Sequence, residues 1–257
     1  MDASPAPTPA PTPDTQGAAV AFWDARFSDP SNQAEAAFRR FDRPKSETVH
    51  AFMALLGDVN GLNVLDVGCG LGGLTVAVAK RGARVLAVDT AHEGVQRTLA
   101  LAEEAGVAER VRAEQRSALE VDRLGEQFDL VVGSFILHHV EPFDAFAGVL
   151  GRAIRPEGRG LFLENNARNP FLMFARRHLA GRFGIPRFGD DEEHPLEARE
   201  VALLRRHFGV VEQHYPDLVF LRKLNTYVIR GRAPWLGKTF HALDRAAYRV
   251  PALRPYT

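Results

Sequence analysis

The segment Val64–Gly73, VLDVGCGLGG, constrains the fold of this chain more than any other. It joins a short run of branched apolar residues, Leu62–Val67, to a cluster of glycines, and a helical stretch follows. A short apolar run of this kind is typical of a parallel strand buried on both faces. The glycines match G-x-G-x-x-G at Gly68, Gly70 and Gly73. The sequence therefore predicts a strand, a tight turn and a helix, with a backbone that a ligand can approach closely.

Strands and helices alternate along most of the remaining chain. Further strands are predicted at Arg84–Val88, Val111–Gln115, Phe128–Gly133, Gly160–Glu164 and Phe208–His214. Helices are predicted at Leu74–Arg81, His92–Ala105, Pro142–Ile154, Leu196–His207 and Leu236–Tyr248. This alternation predicts an α/β fold with a doubly wound, mostly parallel sheet of the Rossmann-like kind.

Composition suggests how the chain is organised around that sheet. Residues 1–17 are rich in Pro, Ala and Thr and are predicted to form a disordered tail, and the aromatic residues within 18–57 predict a helical cap. The catalytic core is assigned to 58–220, with an aromatic and arginine-rich lid insertion at about 165–195. The remaining residues, 221–257, form a basic C-terminal extension.

Charge and cysteine content narrow the partners and the compartment. The 32 basic and 32 acidic residues balance, so nothing in the overall charge indicates nucleic acid. From Leu221 onward, however, eight Lys and Arg residues stand against one acid, Asp244. This segment fits either peripheral contact with an anionic membrane surface, or an acidic substrate, or a solvated helix face. The single cysteine, Cys69, and the lack of a signal or membrane span predict a cytoplasmic protein without a zinc cluster.

The glycine turn alone does not choose between two cofactor classes. Asp89, at the end of the second strand, can bind ribose hydroxyls both in NAD and in S-adenosylmethionine. Asp66 lies just before the glycines, where it would repel a pyrophosphate and attract the ammonium and sulfonium groups of S-adenosylmethionine. Asp66 therefore favours the methyl donor, with an NAD-dependent oxidoreductase and a non-catalytic S-adenosylmethionine-binding protein as alternatives.

These motifs resemble class I S-adenosylmethionine-dependent methyltransferases of the small-molecule, ubiquinone-biosynthesis-like branch. The resemblance rests on VLDVGCGLGGLT followed by VLAVD, and on FDLVVGSFILHHV at Phe128–Val140, and it covers about Asn60–Glu164. It implies a cofactor site formed by Asp66, Gly68, Gly70, Asp89, Thr90, Ser134 and His139, and Cys69 in the turn and Ser117 after the third strand are further candidates. Ser117 stands where relatives often carry an acid, and the chain offers a sixth strand but no evident seventh.

Candidate catalytic and acceptor-binding residues follow the fourth and fifth strands. His139 or His138 is a candidate general base for a protonated acceptor, although a histidine in this loop is often structural. Glu164, Asn165 and Asn169 lie where ligands bind in open α/β sheets, and they are also placed to cap the strand and the next helix. Together with Trp23 they are predicted to bind a small apolar, aromatic or lipid-like acceptor.

Overall fold

The computed structural model describes residues 13–29, 34–165, 196–217, 221–224 and 234–256, together with positions 168, 173 and 178. The chain divides into two compact units. The first contains Met1–Glu164 and Ala202–Gly209, and the second contains Asn165–Val201 and Val210–Thr257. The candidate site residues up to Glu164 all belong to the first unit.

The described residues of the first unit form one parallel five-stranded sheet. Its strands are β1 (Asn63–Val67), β2 (Arg84–Asp89), β3 (Val111–Gln115), β4 (Phe128–Ser134) and β5 (Ile154–Leu163). The spatial order is β3-β2-β1-β4-β5, and every neighbouring pair is parallel. The predicted doubly wound α/β fold is confirmed. The strand order reverses between β1 and β4, and ligands of such sheets bind at this reversal.

Helices lie before, between and after the strands. They are α1 (Pro13–Ser28), α2 (Ala34–Asp42), α3 (Glu47–Leu55), α4 (Gly73–Ala79), α5 (His92–Glu104), α6 (Phe143–Ala153), α7 (Ala198–His207), α8 (Leu221–Leu224) and α9 (Pro234–Tyr248). Short 3₁₀ segments include Ala118–Leu124, Leu137–His139 and Pro251–Tyr256. The predicted helices at 74–81, 92–105, 142–154, 196–207 and 236–248 are confirmed, with boundaries that differ by a few residues.

The central strand β1 is buried on both faces of the sheet, as the apolar run at 62–67 predicts. Successive side chains of a strand point to opposite faces of the sheet. Val64 and Leu65 are nevertheless both fully buried, because helices cover both faces. Val64 packs in a cluster with residues of α3 and α4 such as Phe52 and Val76. This packing fixes the carboxyl end of β1, from which the glycine turn emerges.

One predicted strand and one predicted boundary differ from the structure, and one predicted segment lies largely outside the described residues. The predicted strand Phe208–His214 is wrong, since residues 208–217 are irregular. Strand propensity is realised only where a neighbouring strand and a buried face are available, and Val210 is 78% exposed. Helix α1 begins at Pro13, so the predicted end of the tail at residue 17 lies inside a helix. The predicted lid, about 165–195, lies outside the described residues except for Asn165 and positions 168, 173 and 178.

Candidate cofactor and acceptor site

The glycine turn between β1 and α4 requires glycine for two different reasons. Gly68 and Gly70 have φ values of +70° and +50°, which side chains rarely adopt. A Cβ on Gly68 would lie 2.5 Å from Cδ1 of Ile136, so the loop after β4 packs directly on the turn. A Cβ on Gly73 would lie 2.5 Å from the backbone of Ala37. The third glycine of the motif therefore allows α2 to pack on the start of α4.

The backbone amides of the turn are directed into the protein. The N–H groups of Gly68 and Cys69 donate to the carbonyl oxygen of Val88, at 2.8 and 3.1 Å. The N–H of Gly70 donates to Oδ2 of Asp89 at 2.9 Å. A pyrophosphate site at such a turn uses free N–H groups to bind the anion. These three donors are already engaged, so the arrangement does not favour a dinucleotide.

Asp66 lies beneath the turn with only 1% of its surface exposed. Its Oδ2 accepts a hydrogen bond from the Thr75 hydroxyl at 2.6 Å. Burial raises the pKa of Asp66 to about 7, and the negative charge of Asp89 adds to this increase. The predicted acid is therefore poised near neutral pH. A cation that binds close to Asp66 would favour its ionised form, as expected for the ammonium group of a methionine moiety.

Asp89 ends β2 on the other side of the turn. Its Oδ1 accepts from the N–H of Ala91 at 2.9 Å, while Oδ2 holds Gly70. Burial raises the pKa of Asp89, although the hydrogen bonds from these two N–H groups oppose the increase. The carboxylate thus links the glycine turn to the start of α5. Thr90, the next residue, is exposed, and its carbonyl oxygen accepts from the side chain of Gln115 at 3.0 Å.

Cys69 and the two candidate serines occupy different surroundings. Cys69 is buried, the hydroxyl of Thr98 lies 3.4 Å from its sulfur, and burial raises the pKa of its thiol. It fills space under the turn in a form that is a poor nucleophile. Ser117 caps the 3₁₀ segment after β3, since its Oγ accepts from the N–H of Leu119 at 3.3 Å. Ser134 is half-buried at the carboxyl end of β4.

Glu164 and His138 form a buried pair at the carboxyl ends of β4 and β5. Oε1 of Glu164 accepts from the N–H groups of Ile136 and Leu137, at 2.8 and 2.7 Å. Oε2 lies 2.6 Å from Nδ1 of His138. A carboxylate oxygen can only accept, so Nδ1 of His138 carries the proton. Both oxygens of Glu164 therefore bind groups of this chain, and they fix the loop that packs on Gly68.

His139 connects this pair to the N-terminal cap. Its ring centre lies 4.1 Å from that of His138, and the edge of Trp23 meets it with ring centres 5.3 Å apart. Trp23 stacks on Phe27, and a Cβ on Gly70 would lie 3.3 Å from the ring of Phe27. Helix α1 therefore covers the glycine turn and the histidine loop together.

The predicted residues form two groups joined at this edge of the sheet. Asp66, Gly68, Cys69, Gly70 and Asp89 surround the turn after β1 and β2, while Ser134, His138, His139 and Glu164 follow β4 and β5. The contact between Gly68 and Ile136 joins the groups. Asn165 is half-buried and its backbone oxygen accepts from the N–H of Leu196 at 3.1 Å, in the second unit. Asn169 lies outside the described residues.

Several contributors to the site were not singled out as site residues from the sequence. Thr75 binds Asp66, Ile136 packs on the turn, and Phe27 covers it. Asp24 of α1 accepts from the N–H of Glu93 at 2.9 Å, which fastens α1 to the start of α5. The position of Thr75, nine residues after Asp66 on the helix that follows the turn, was a usable signal. Nothing local to Asp24 indicates its distant partner.

The described residues contain neither a metal site nor a membrane-spanning helix. No group of three or more His, Cys, Asp or Glu side chains in this part of the chain has an arrangement that would hold a metal ion. No helix among the same residues is both long and apolar enough to cross a bilayer.

A Rossmann-like sheet with a glycine turn between two buried carboxylates has the chemistry that suits a nucleoside-containing cation. Comparison with known proteins agrees. Residues 64–158 match the family model described as a methyltransferase domain. The chain is 32% identical to the ubiquinone biosynthesis O-methyltransferase of Methylobacterium sp. (strain 4-46) over 199 residues, which cover 76% of this chain and 74% of that protein. A shorter match, 36% identical, covers 40% of this chain and 40% of the enzyme of the same name from Azorhizobium caulinodans.

Among solved structures, magnesium protoporphyrin IX methyltransferase from Synechocystis PCC 6803 with bound S-adenosylhomocysteine shares the fold. It is 18% identical, with a TM-score of 0.55, and the match covers 75% of this chain and 88% of that one. This chain belongs to the class I S-adenosylmethionine-dependent methyltransferases, in the branch that includes the ubiquinone-biosynthesis O-methyltransferases. It is an enzyme that uses S-adenosylmethionine as its methyl donor.

Proposed function

We propose that this enzyme methylates a hydroxyl group of a small apolar acceptor with an aromatic ring, related in chemistry to the precursors of ubiquinone. The observation that carries the proposal is the placement of His139. Its ring is half-buried between His138 and the edge of Trp23, next to the loop that packs on the glycine turn. A histidine enclosed by aromatic surface suits an apolar acceptor whose proton must be removed. The names of the relatives, O-methyltransferases of ubiquinone biosynthesis, support oxygen as the attacking atom.

The residues of the turn fit the methyl donor. Gly68 and Gly70 allow close approach of its methionine part, Asp66 attracts the ammonium group, and Asp89 accepts from the ribose hydroxyls. Cys69, Thr90, Ser117 and Ser134 complete the boundary of this proposed site. When bound, the sulfonium supplies an activated methyl group and leaves as a neutral thioether.

The chain's own contribution to catalysis is proton removal, orientation and exclusion of water. In the proposed mechanism His139 accepts the acceptor's hydroxyl proton as the oxygen attacks. The ring of His138 contacts that of His139 at a tilt of 39°, and Glu164 holds His138 and the loop amides in place. Glu164 is thus assigned a positioning role through its bonds to His138 and the loop amides, and its predicted contact with the acceptor stays a prediction. Trp23 is proposed to contact the acceptor, and Trp23 and Phe27 exclude water above the turn. Acceptor contacts of Asn165 and Asn169 stay separate predictions.

Methyl-label transfer tests this function. Labelled S-adenosylmethionine is incubated with the enzyme and with matched aromatic acceptors that differ only in carrying a hydroxyl, an amine or a thiol. Label in the methyl ether is expected. Label only on nitrogen, sulfur or ring carbon would contradict O-methylation, and S-adenosylhomocysteine binding without any transfer would support a non-catalytic binding protein.

Replacement of His139 tests its assigned role. His139→Ala should lower kcat by about a hundredfold while S-adenosylhomocysteine affinity stays within about threefold, because the base acts only in the reaction. The matched control is His50→Ala, at an exposed histidine of α3 outside the site. Loss of cofactor affinity without a specific loss of kcat would make His139 a cofactor-pocket residue instead.

The division of the chain into functional segments, its location in the cell and its contact with a membrane are also proposals. We propose the cap at 18–57, the catalytic core at 58–220 and the basic extension at 221–257 as functional segments of a cytoplasmic enzyme. We also propose that the basic extension brings the enzyme to a membrane surface.

A further inference from the structure

The end of the described chain exposes an unusual share of apolar surface. Large hydrophobic side chains exposed among the described residues include four within one short stretch: Leu243 (49%), Val250 (47%), Leu253 (41%) and Tyr256 (47%). Three of these are spaced three residues apart, in and next to the 3₁₀ segment Pro251–Tyr256. A 3₁₀ helix has three residues per turn, so Val250, Leu253 and Tyr256 share one face. The N–H of Leu253 donates to the Val250 carbonyl oxygen at 2.9 Å, which places Val250 in the first turn.

Cations accompany this apolar stripe. Lys238, Arg245 and Arg249 are all exposed, and their spacings of seven and four residues put them on one face at helical periodicity. Arg254 lies over the ring of Tyr248, and its Nε donates to the Tyr248 carbonyl oxygen at 3.0 Å. This bond ties the 3₁₀ segment to the end of α9. The apolar stripe is therefore fixed in position at the end of the helix that carries the cations.

The single acid of this stretch does not oppose the cations at the surface. Asp244 is 1% exposed, on the inner side of α9. Its Oδ1 accepts from the N–H of Leu221, and its Oδ2 accepts from the N–H and the Nε of Arg222. The negative charge is thus used to fasten α8 to α9. Every other charged side chain in residues 234–256 is positive.

We infer that α9 and the following 3₁₀ segment form a docking face for an anionic lipid bilayer. Its members are Lys238, Arg245, Arg249, Val250, Leu253 and Tyr256. Cations attract anionic headgroups, while side chains of the size of Val, Leu and Tyr enter the boundary between headgroups and acyl chains. The inference deepens the proposed function and rests on it in one respect, because an apolar acceptor partitions into the membrane. The exposed cations complement anionic headgroups in charge, and this favours a lipid surface over an apolar contact between two copies of the protein.

Vesicle cosedimentation of the full-length protein tests the face directly. Vesicles of phosphatidylcholine with about 30% phosphatidylglycerol should bind the protein, vesicles of phosphatidylcholine alone should not, and added salt should release it. Arg245→Glu with Arg249→Glu should weaken partition by about 25-fold or more, since each cation contributes about fivefold. Val250→Ser with Leu253→Ser should weaken it by about tenfold.

The matched control reverses the same number of charges elsewhere. Arg43 and Lys45 are exposed in the segment after α2, and Arg43→Glu with Lys45→Glu should change partition by less than about threefold. An equal loss in this control, equal binding to neutral vesicles, or unaffected binding in both face variants would overturn the inference. The inference would also be overturned if the wild type binds no vesicles and sedimentation equilibrium shows a dimer that becomes monomeric in the serine variant. The cosedimentation assay involves no methyl transfer, so failure of the docking face is distinct from failure of the proposed function.

Discussion

Asp66→Asn tests the raised pKa of this buried carboxyl group, because it keeps the shape and the hydrogen bond of the side chain but removes its titration. Asp66 is buried under the glycine turn, and its Thr75 partner at 2.6 Å can also hydrogen-bond to an amide. Burial raises the pKa of Asp66 from 3.8 to about 7. The substitution keeps the shape of the side chain and removes its titration. We expect it to change both the pH dependence of stability and the pH dependence of cofactor binding.

The sign and size of the stability effect follow from the pKa. Between pH 3.8 and about 7 the folded protein holds a proton on Asp66 that the unfolded chain has lost. The free energy of unfolding therefore falls as pH rises through this range, and the loss is complete above pH 7. At about 1.4 kcal/mol per pKa unit, it should fall between pH 5 and pH 8 by about 2.5 kcal/mol more in the wild type than in the variant.

Cofactor binding should respond to pH in the opposite direction. The ammonium group of S-adenosylhomocysteine favours ionised Asp66, and the ionised fraction rises from about a tenth at pH 6 to about nine tenths at pH 8. Wild-type affinity should therefore increase by up to about tenfold over this interval, while Asp66→Asn should bind weakly at both pH values.

Denaturant unfolding and calorimetric titration, each at several pH values, measure the two effects. Asp58→Asn replaces an exposed carboxylate with the same chemistry, and it should leave both pH profiles as in the wild type. Parallel pH profiles for the wild type and Asp66→Asn, in stability and in binding, would refute the reasoning from burial.

Three further predictions concern the rest of the site. Glu164→Gln keeps Oε1 for the Ile136 and Leu137 amides, but its NH₂ group donates to Nδ1 of His138 and reverses the tautomer, so kcat should fall by about a hundredfold with S-adenosylhomocysteine affinity unchanged. Unchanged kcat would remove the pair from catalysis. Asp89→Ala should weaken S-adenosylhomocysteine binding by about 1.5 to 3 kcal/mol, measured by calorimetry, and unchanged affinity would exclude it from the site. Gly68→Ala should destabilise more than Gly61→Ala by about 1 to 3 kcal/mol in denaturant unfolding, since both have positive φ but only Gly68 meets Ile136; equal losses would contradict this packing.

The structural features that could be predicted from the sequence are those formed by residues close together in the chain. The strand at 62–67, the glycine turn and Asp89 at the end of the next strand are local patterns, and the sheet places them together. Partners far apart in the chain leave no such pattern. Glu164 and His138 are 26 residues apart and meet only because β4 and β5 are adjacent. From its position after the fifth strand, Glu164 was predicted to contact the acceptor or to cap the strand, and its bonds to the histidine loop were not predicted.

The same limit explains the predicted strand at 208–214. Its apolar and β-branched residues are compatible with a strand, but a strand forms only where another strand accepts its hydrogen bonds and a core covers one face. Val210 has no such cover, because most of its surface is exposed. Local propensity predicted β1 correctly, because helices cover both of its faces. It failed at 208–214, because the tertiary structure offers that segment no partner strand.

The preference for a methyl donor over a dinucleotide has two separate physical causes in this site. From the sequence, the cause was electrostatic, since Asp66 beside the turn would repel a pyrophosphate. The structure adds a second cause that residue types do not reveal, because the N–H groups of Gly68 and Cys69 are directed at Val88 and that of Gly70 is held by Asp89. Substituting Asp66 removes only the first cause. A neutral residue at position 66 should therefore weaken binding of the methyl donor without creating affinity for NAD, because the N–H groups of Gly68, Cys69 and Gly70 would still be engaged within the protein.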